Sequence, residues 1–146
     1  MCLVQFGGEH LELKKTKEET VFYKVLMYLP QKGGYFTPVQ HQPTELNTDL
    51  EIPSWMEWDV REIGHNYEME VSPWEKVWGV DGGGFHLYVR KSDAESDIIA
   101  GVFDNQMYLG IPVVFKAVVP PDTEYIEGYF GGDDSVAVKR VRYEKI

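Results

Sequence analysis

A chain of 146 residues with 43% hydrophobic and 14% aromatic residues is long and apolar enough to bury a core, which excludes an intrinsically disordered protein. Its formal net charge of −10 opposes attraction to phosphate backbones and anionic lipids, so we expect neither generic nucleic-acid binding nor membrane binding. The single cysteine, Cys2, has no disulfide partner, and no signal peptide or apolar run of about 20 residues is present, which predicts one compact cytoplasmic domain over residues 1–146.

The first predicted element is a strand from Thr20 to Leu29. This run is rich in β-branched and aromatic residues and stops at Pro30. Thr16 and Glu19 have the spacing of a capping box, which leaves a helix at this place as the alternative. Residues 31–34 then read as a turn.

The central region repeats the capping-box pattern, in which an N-cap hydroxyl and a glutamate three residues later satisfy two backbone donors. The pattern predicts a helix from Trp55 to Ile63, a single helical turn that ends at Gly79, and a helix from Asp93 to Phe103. Between the first two, the alternation of Tyr67 to Val71 predicts a strand. The three boxes are Ser54 with Glu57, Ser72 with Glu75, and Ser92 with Glu95.

The C-terminal part reads as strands separated by glycine and proline turns. A strand from Phe85 to Arg90 follows the glycine turn at residues 81–84, and this order is the reverse of a phosphate-binding loop, which runs from a strand into a helix. Val113 to Val119 reads as a buried strand. Glu124 to Phe130 and Ser135 to Tyr143 predict a closing hairpin, with a bulge in the second arm that absorbs a shift of the apolar phase.

The predicted fold is therefore β-rich α+β, with an antiparallel or mixed sheet and two or three short helices. Within it, acidic residues and tryptophans are concentrated in a central segment, residues 51–80. A tryptophan buries a large apolar ring while its N–H stays wet, so these rings fit half-buried structural anchors as well as an exposed platform. An exposed platform would bind a protein partner or a small ligand. The tryptophans are Trp55, Trp58, Trp74 and Trp78.

No arrangement of residues identifies a catalytic centre. The four histidines lack a second ligand at the spacing of a metal motif, and Cys2 near a frayed terminus is a poor nucleophile. The 24 carboxylates offer too many acid–base pairs for a choice among them. His86 is the most interesting residue, because it lies in a predicted strand after the glycine turn. His86 is a hydrogen-bonded structural histidine, a ligand contact or a catalytic residue, and Tyr88 is a candidate ligand contact beside it.

The chain also carries a set of short motifs between residues 20 and 143, which include Gly84-Phe85-His86-Leu87-Tyr88 and Tyr125-Ile126-Glu127-Gly128. In these motifs it resembles a loose group of small uncharacterised proteins of bacteria and their phages, a group without a settled activity. A more distant similarity, carried by a glycine, an aromatic strand and a following helix, is to ADP-ribosyltransferases. That similarity implies a nucleotide-like ligand near His86 and a catalytic glutamate at Glu124 or Glu127.

Two functions follow as expectations. The first is a bacterial or phage accessory protein that acts as a non-enzymatic binding or interaction module for a protein partner or small ligand. The alternative is a small enzyme or pseudo-enzyme of ADP-ribosyltransferase-like type. No catalytic residue, metal or cofactor is predicted, and the oligomeric state is open. The candidate binding residues are Trp55, Trp58, Trp74, Trp78, His86 and Tyr88.

Overall fold

The computed structural model describes residues 3–6, 13–37, 56–57, 66–72, 75–80, 85–103, 110–130 and 132–146. Within these ranges the chain forms an antiparallel sheet of twelve strands and one helix, α1 (Lys91–Ile99). The strands are β1 (Leu3–Phe6), β2 (Lys14–Lys15), β3 (Thr20–Leu29), β4 (Gly34–Phe36), β5 (Met56–Glu57), β6 (Asn66–Ser72), β7 (Glu75–Val80), β8 (Phe85–Tyr88), β9 (Ile111–Val119), β10 (Glu124–Phe130), β11 (Asp133–Val138) and β12 (Arg140–Lys145).

Ten of these strands follow one another across the sheet in the order β5-β12-β9-β3-β8-β11-β10-β1-β7-β6. The short strands β2 and β4 pair beside this path, with β10 and β3 respectively. The longest pairing joins β3 to β9, from Thr20 opposite Val119 to Tyr28 opposite Ile111. Both strands are rich in the β-branched and aromatic residues that fit a pleated surface.

The two faces of the sheet are both apolar where β3 passes through it, because successive residues of a strand alternate between faces. We call one the inner face. It carries buried residues of β3, β8, β9, β11 and β12 that pack into a single core cluster. The members of this cluster are Leu26, Phe85, Leu87, Phe115, Ala117, Val119, Val136, Val138, Val141 and Tyr143.

The opposite, outer face is covered by α1. A second core cluster lies between the helix and the sheet, in which Ala94 of α1 and the following Phe103 pack against buried residues of β3 and against Tyr88. Asp93 is the acidic residue of the first turn of α1. The helix ends in a Schellman motif, since Gly101 takes a left-handed φ of 83° and the Val102 N–H donates to the Asp97 carbonyl.

The sheet curves around the inner face without closing. One residue, Lys139, separates β11 from β12, so the two strand ends lie within about 7 Å of each other. Along the sheet, however, β9, β3 and β8 lie between β11 and β12. In a flat sheet, β11 and β12 would therefore be about 19 Å apart. A single residue can join β11 to β12 only if the sheet bends. It bends toward the inner face, because all five strands share one core there.

This curvature corrects the prediction for the C-terminal hairpin. Its first arm is confirmed as β10, but the second arm divides at Lys139 into β11, which pairs with β10 and β8, and β12, which pairs with β9. The shift of apolar phase from Val136 and Val138 to Val141 and Tyr143 is therefore a change of strand partner rather than a bulge. All four side chains reach the same core.

The prediction of two or three helices is not confirmed, because the described residues contain one. Of the turn predicted to start at Ser72 and end at Gly79, Ser72 ends β6 and Glu75 to Gly79 lie in strand β7, which is paired on both edges by β1 and β6. Of the helix predicted from Trp55 to Ile63, the described residues Met56 and Glu57 form β5. Ladder hydrogen bonds to neighbouring strands outweigh a local capping preference in both places.

The helix predicted from Asp93 to Phe103 exists with different ends. It starts at Lys91 with Arg90 as N-cap residue, and no side chain caps it, so the capping box of Ser92 with Glu95 is wrong. The strands predicted over Thr20 to Leu29, around Tyr67 to Val71 and from Phe85 are confirmed as β3, β6 and β8. In the described part of the chain, no helix is long and apolar enough to cross a membrane.

Candidate functional site

Strands β3 and β8 pair at Tyr23 opposite Tyr88 and then separate. Beyond this point β8 follows β11, whereas the same edge of β3 is next taken by β4, from Met27 onward. The other edge of β3 is occupied by β9 throughout. Among the described residues, the edge of β3 that pairs with β8 and β4 therefore has no strand partner from Lys24 to Leu26, and we call this gap the opening. Val25 and Leu26 are buried there, whereas Lys24 is partly exposed.

Lys24 places its ammonium group at this opening. Its Nζ donates a hydrogen bond of 2.8 Å to the main-chain carbonyl of His86 in β8. The side chain as a whole is partly buried, and burial of the amine lowers the pKa of Lys24 from 10.5 to about 8. No described residue places a carboxylate within salt-bridge distance of it. The cation is thus desolvated and has a neutral partner.

The surroundings of Lys24 are apolar. Its neighbours on the inner face of β3 are Phe22 and Leu26, and Phe115 of β9 lies directly opposite in the register. Leu26 and Phe115 are buried in the inner core, whereas Phe22 is partly buried at its margin. A single positive charge is therefore held at the edge of an apolar face that remains partly open to solvent.

His86 and Tyr88 lie on the outer face, because they alternate along β8 with Phe85 and Leu87 of the inner core. Tyr88 is 7% exposed beneath α1, and its hydroxyl donates to Asp97 Oδ2 at 2.8 Å. Burial raises the pKa of Tyr88, and so, to a smaller extent, do the hydrogen bond and the charge of Asp97. Tyr88 therefore fastens the helix to the sheet, and the structure links His86 to Lys24 through its carbonyl.

Four aspartates lie around this contact between α1 and the sheet. Asp93 and Asp97 of α1 lie close to Asp133 and Asp134, the first residues of β11. Arg90 forms salt bridges with Asp134 at 2.7 Å and with Asp93 at 3.4 Å. Partial burial raises the pKa of Asp133 to about 6, and the hydrogen bond with Asp97 and the neighbouring negative charges add to the effect. Within the described ranges, no set of potential ligands is arranged as a metal site.

The predicted tryptophan platform falls largely outside the described residues, where Trp55, Trp58 and Trp74 lie. Trp78 belongs to β7, and β1, β10 and β11 separate that strand from β8. The path along the sheet from Trp78 to His86 is therefore about 19 Å. The structure does not bring these two predicted residues together in adjacent strands, and the exposure of the rings stays a prediction.

Lys24 was missed as a site residue by the sequence reasoning, although a signal was present. It is the one charged residue within the apolar run Thr20 to Leu29, and the residues two positions away on either side are Phe22 and Leu26. In a strand this spacing puts the lysine on the same face as two large apolar side chains. Comparison with protein-family models, curated proteins and solved structures found no match to this chain.

Proposed function

We propose that this protein is a non-enzymatic binding module that holds a small ligand beside Lys24, where β3 and β8 separate. The observation that carries the proposal is the position of the Lys24 ammonium, which lies on an apolar face with a main-chain carbonyl as its hydrogen-bond partner. Lysines in such surroundings are uncommon unless they are paired with an anion, because removing a charge from water is costly.

The energetic argument favours a role in binding over a role in folding. Replacing a buried charge with an apolar side chain of similar volume is often neutral or stabilising, so a lysine here weakens the fold relative to that alternative. Groups that cost stability and lie at an opening between structural elements are typical of binding sites. The same opening supplies access, since neither Lys24 nor Phe22 is fully buried.

The alternative function, an enzyme or pseudo-enzyme that binds a nucleotide-like ligand near His86 and Tyr88, has less support. A stacking or hydrogen-bonding role would need the Tyr88 ring to be accessible. The ring is packed under α1, and its hydroxyl is already engaged by Asp97.

Thermal unfolding in the presence of a compound panel tests the proposal. The panel contains apolar carboxylates, alcohols and amines, together with NAD and related nucleotides, and the proteins are the wild type, Lys24→Met and Lys116→Met. Lys116 is the matched control, because it lies on β9 beside β3 but on the outer face. A ligand at 100 times its dissociation constant should stabilise the wild type by about 2.7 kcal/mol.

We expect at least one apolar compound class to stabilise the wild type and K116M but not K24M. The proposal is wrong if no compound stabilises the wild type, or if every stabilising compound acts equally on K24M. Stabilisation by NAD that survives in K24M and disappears in His86→Ala would favour the nucleotide-binding alternative instead.

A further inference from the structure

We infer that the ligand of this site is a monocarboxylate with an apolar body, whose carboxylate pairs with the Lys24 ammonium while the body lies against the margin of the inner face. The inference rests on the proposed function and specifies its ligand. It follows from three properties of the site, namely the number of cations, the donors left on Lys24 and the chemistry of the lining.

The number of cations limits the charge of the ligand. Phosphate groups are generally held by several donors, such as an arginine fork, a helix N-terminus or a nest of backbone N–H groups. At this opening the described residues supply one ammonium group. The N-terminus of α1 lies over the outer face. Lys14 of β2, which pairs with β10, forms a salt bridge with Glu127 at 3.0 Å. One cation matches one negative charge.

The donors of Lys24 match a carboxylate. An ammonium group has three N–H donors, and one of them reaches the His86 carbonyl. No described residue accepts from the other two. A carboxylate would accept from them without displacing the bond to His86, and it would supply the counter-charge that burial otherwise denies to the amine.

The lining matches an apolar body. Phe22 is partly buried and lies beside Lys24 on the same face, and the side chains beyond it are the apolar residues of the inner core. A neutral apolar compound would leave the ammonium desolvated without a counter-ion, and a small hydrophilic anion would leave Phe22 exposed. An amphipathic monoanion satisfies both groups together.

Isothermal titration with three probes of equal chain length tests the inference: octanoate, octanol and octylammonium. We expect wild type and K116M to bind octanoate at least tenfold more tightly than octanol at pH 7, and K24M to lose that preference. Because the bound carboxylate holds the proton on Lys24, octanoate affinity of the wild type should fall more than tenfold from pH 7 to pH 10, whereas octanol affinity should not.

The pH arm uses the wild-type protein, so it decides the matter even if K24M fails to fold. Equal binding of octanoate and octanol, with no pH dependence, overturns the carboxylate inference. The proposed function then stands if K24M binds both probes more weakly than the wild type, and fails with the inference if K24M binds them equally well. A preference for octylammonium overturns the inference and indicates a cationic ligand. If none of the three probes binds, the proposed function fails for apolar chains of this length together with the inference.

Discussion

Replacing Lys24 with methionine should stabilise the free protein near neutral pH. Methionine is similar in length and carries no charge, so K24M retains an apolar contact with the inner face and removes the desolvated ammonium. A pKa of about 8 in place of 10.5 corresponds to about 3 kcal/mol, at about 1.4 kcal/mol for each tenfold change in proton affinity. The lost hydrogen bond to His86 costs about 1 kcal/mol. We therefore expect a net gain of about 2 kcal/mol at pH 7.

The pH dependence of this gain has a definite sign. Burial lowers the pKa of Lys24 in the folded state, so between pH 8 and pH 10.5 the unfolded chain binds more protons than the folded protein. Wild-type stability from this group consequently rises with pH across that window. The difference in unfolding free energy between K24M and the wild type should fall by about 2.5 kcal/mol between pH 7 and pH 10, so the gain of K24M disappears by pH 10.

Urea unfolding of both proteins at pH 7, 8, 9 and 10, followed by circular dichroism, measures this difference directly. Contributions from the remaining titratable groups are common to both proteins and cancel in the difference. K116M should follow the wild type at every pH. An advantage of K24M that is constant with pH, or a loss of stability in K24M at pH 7, would refute the desolvation argument and make Lys24 a structural hydrogen-bond donor.

Two further predictions concern the attachment of α1 to the sheet. Tyr88→Phe removes the hydrogen bond to Asp97 and should cost about 1–3 kcal/mol of unfolding free energy, measured by urea unfolding at pH 7, because the acceptor is a carboxylate. Asp133→Asn should flatten the dependence of stability on pH between pH 4 and pH 6. The raised folded-state pKa of Asp133 contributes stability that is present below pH 3.8 and lost as the pH rises through about 6. Thermal unfolding across this pH range measures the difference.

The pH prediction has a matched control. Asp122→Asn is a suitable one for the pH profile, because Asp122 lies in an exposed turn with a left-handed φ of 58° that asparagine also tolerates. Its profile should match the wild type. An Asp133→Asn profile with the wild-type slope would contradict the role of the aspartate group, and an unchanged stability of Tyr88→Phe would show that packing alone holds α1.

Local sequence was sufficient for the long strands. The runs that became β3 and β10 were predicted with the observed bounds, since β-branched and aromatic residues in runs of this length favour the pleated conformation wherever the partner lies. The same reasoning failed at Ser72 with Glu75. A capping box describes the energy of one short segment, whereas β7 is paired on its two edges by β6 and by β1, which is distant in sequence.

The candidate site shows the same division. Sequence alone identified His86 and Tyr88 as neighbours on one strand, and the period of two correctly implies a shared face. Two features of the site depend on the point at which the edge of β3 stops pairing with β8 and, farther along, pairs with β4. They are the position of Tyr88 under α1 and the hydrogen bond from the Lys24 ammonium to the His86 carbonyl. These contacts join residues more than 60 positions apart in the chain, as the hydrogen bond from Lys24 to His86 does, so a local sequence pattern does not predict them.

By itself the sequence determined a β-rich chain, the places of its main strands, one helix near residue 95 and a lone lysine in an apolar run. Tertiary structure decided that the C-terminal arm divides at Lys139, that the sheet curves around one core, and that this lysine meets a carbonyl instead of a carboxylate. The physical reason is range: backbone preference acts over a few residues, whereas strand partners and desolvation depend on every segment that packs nearby.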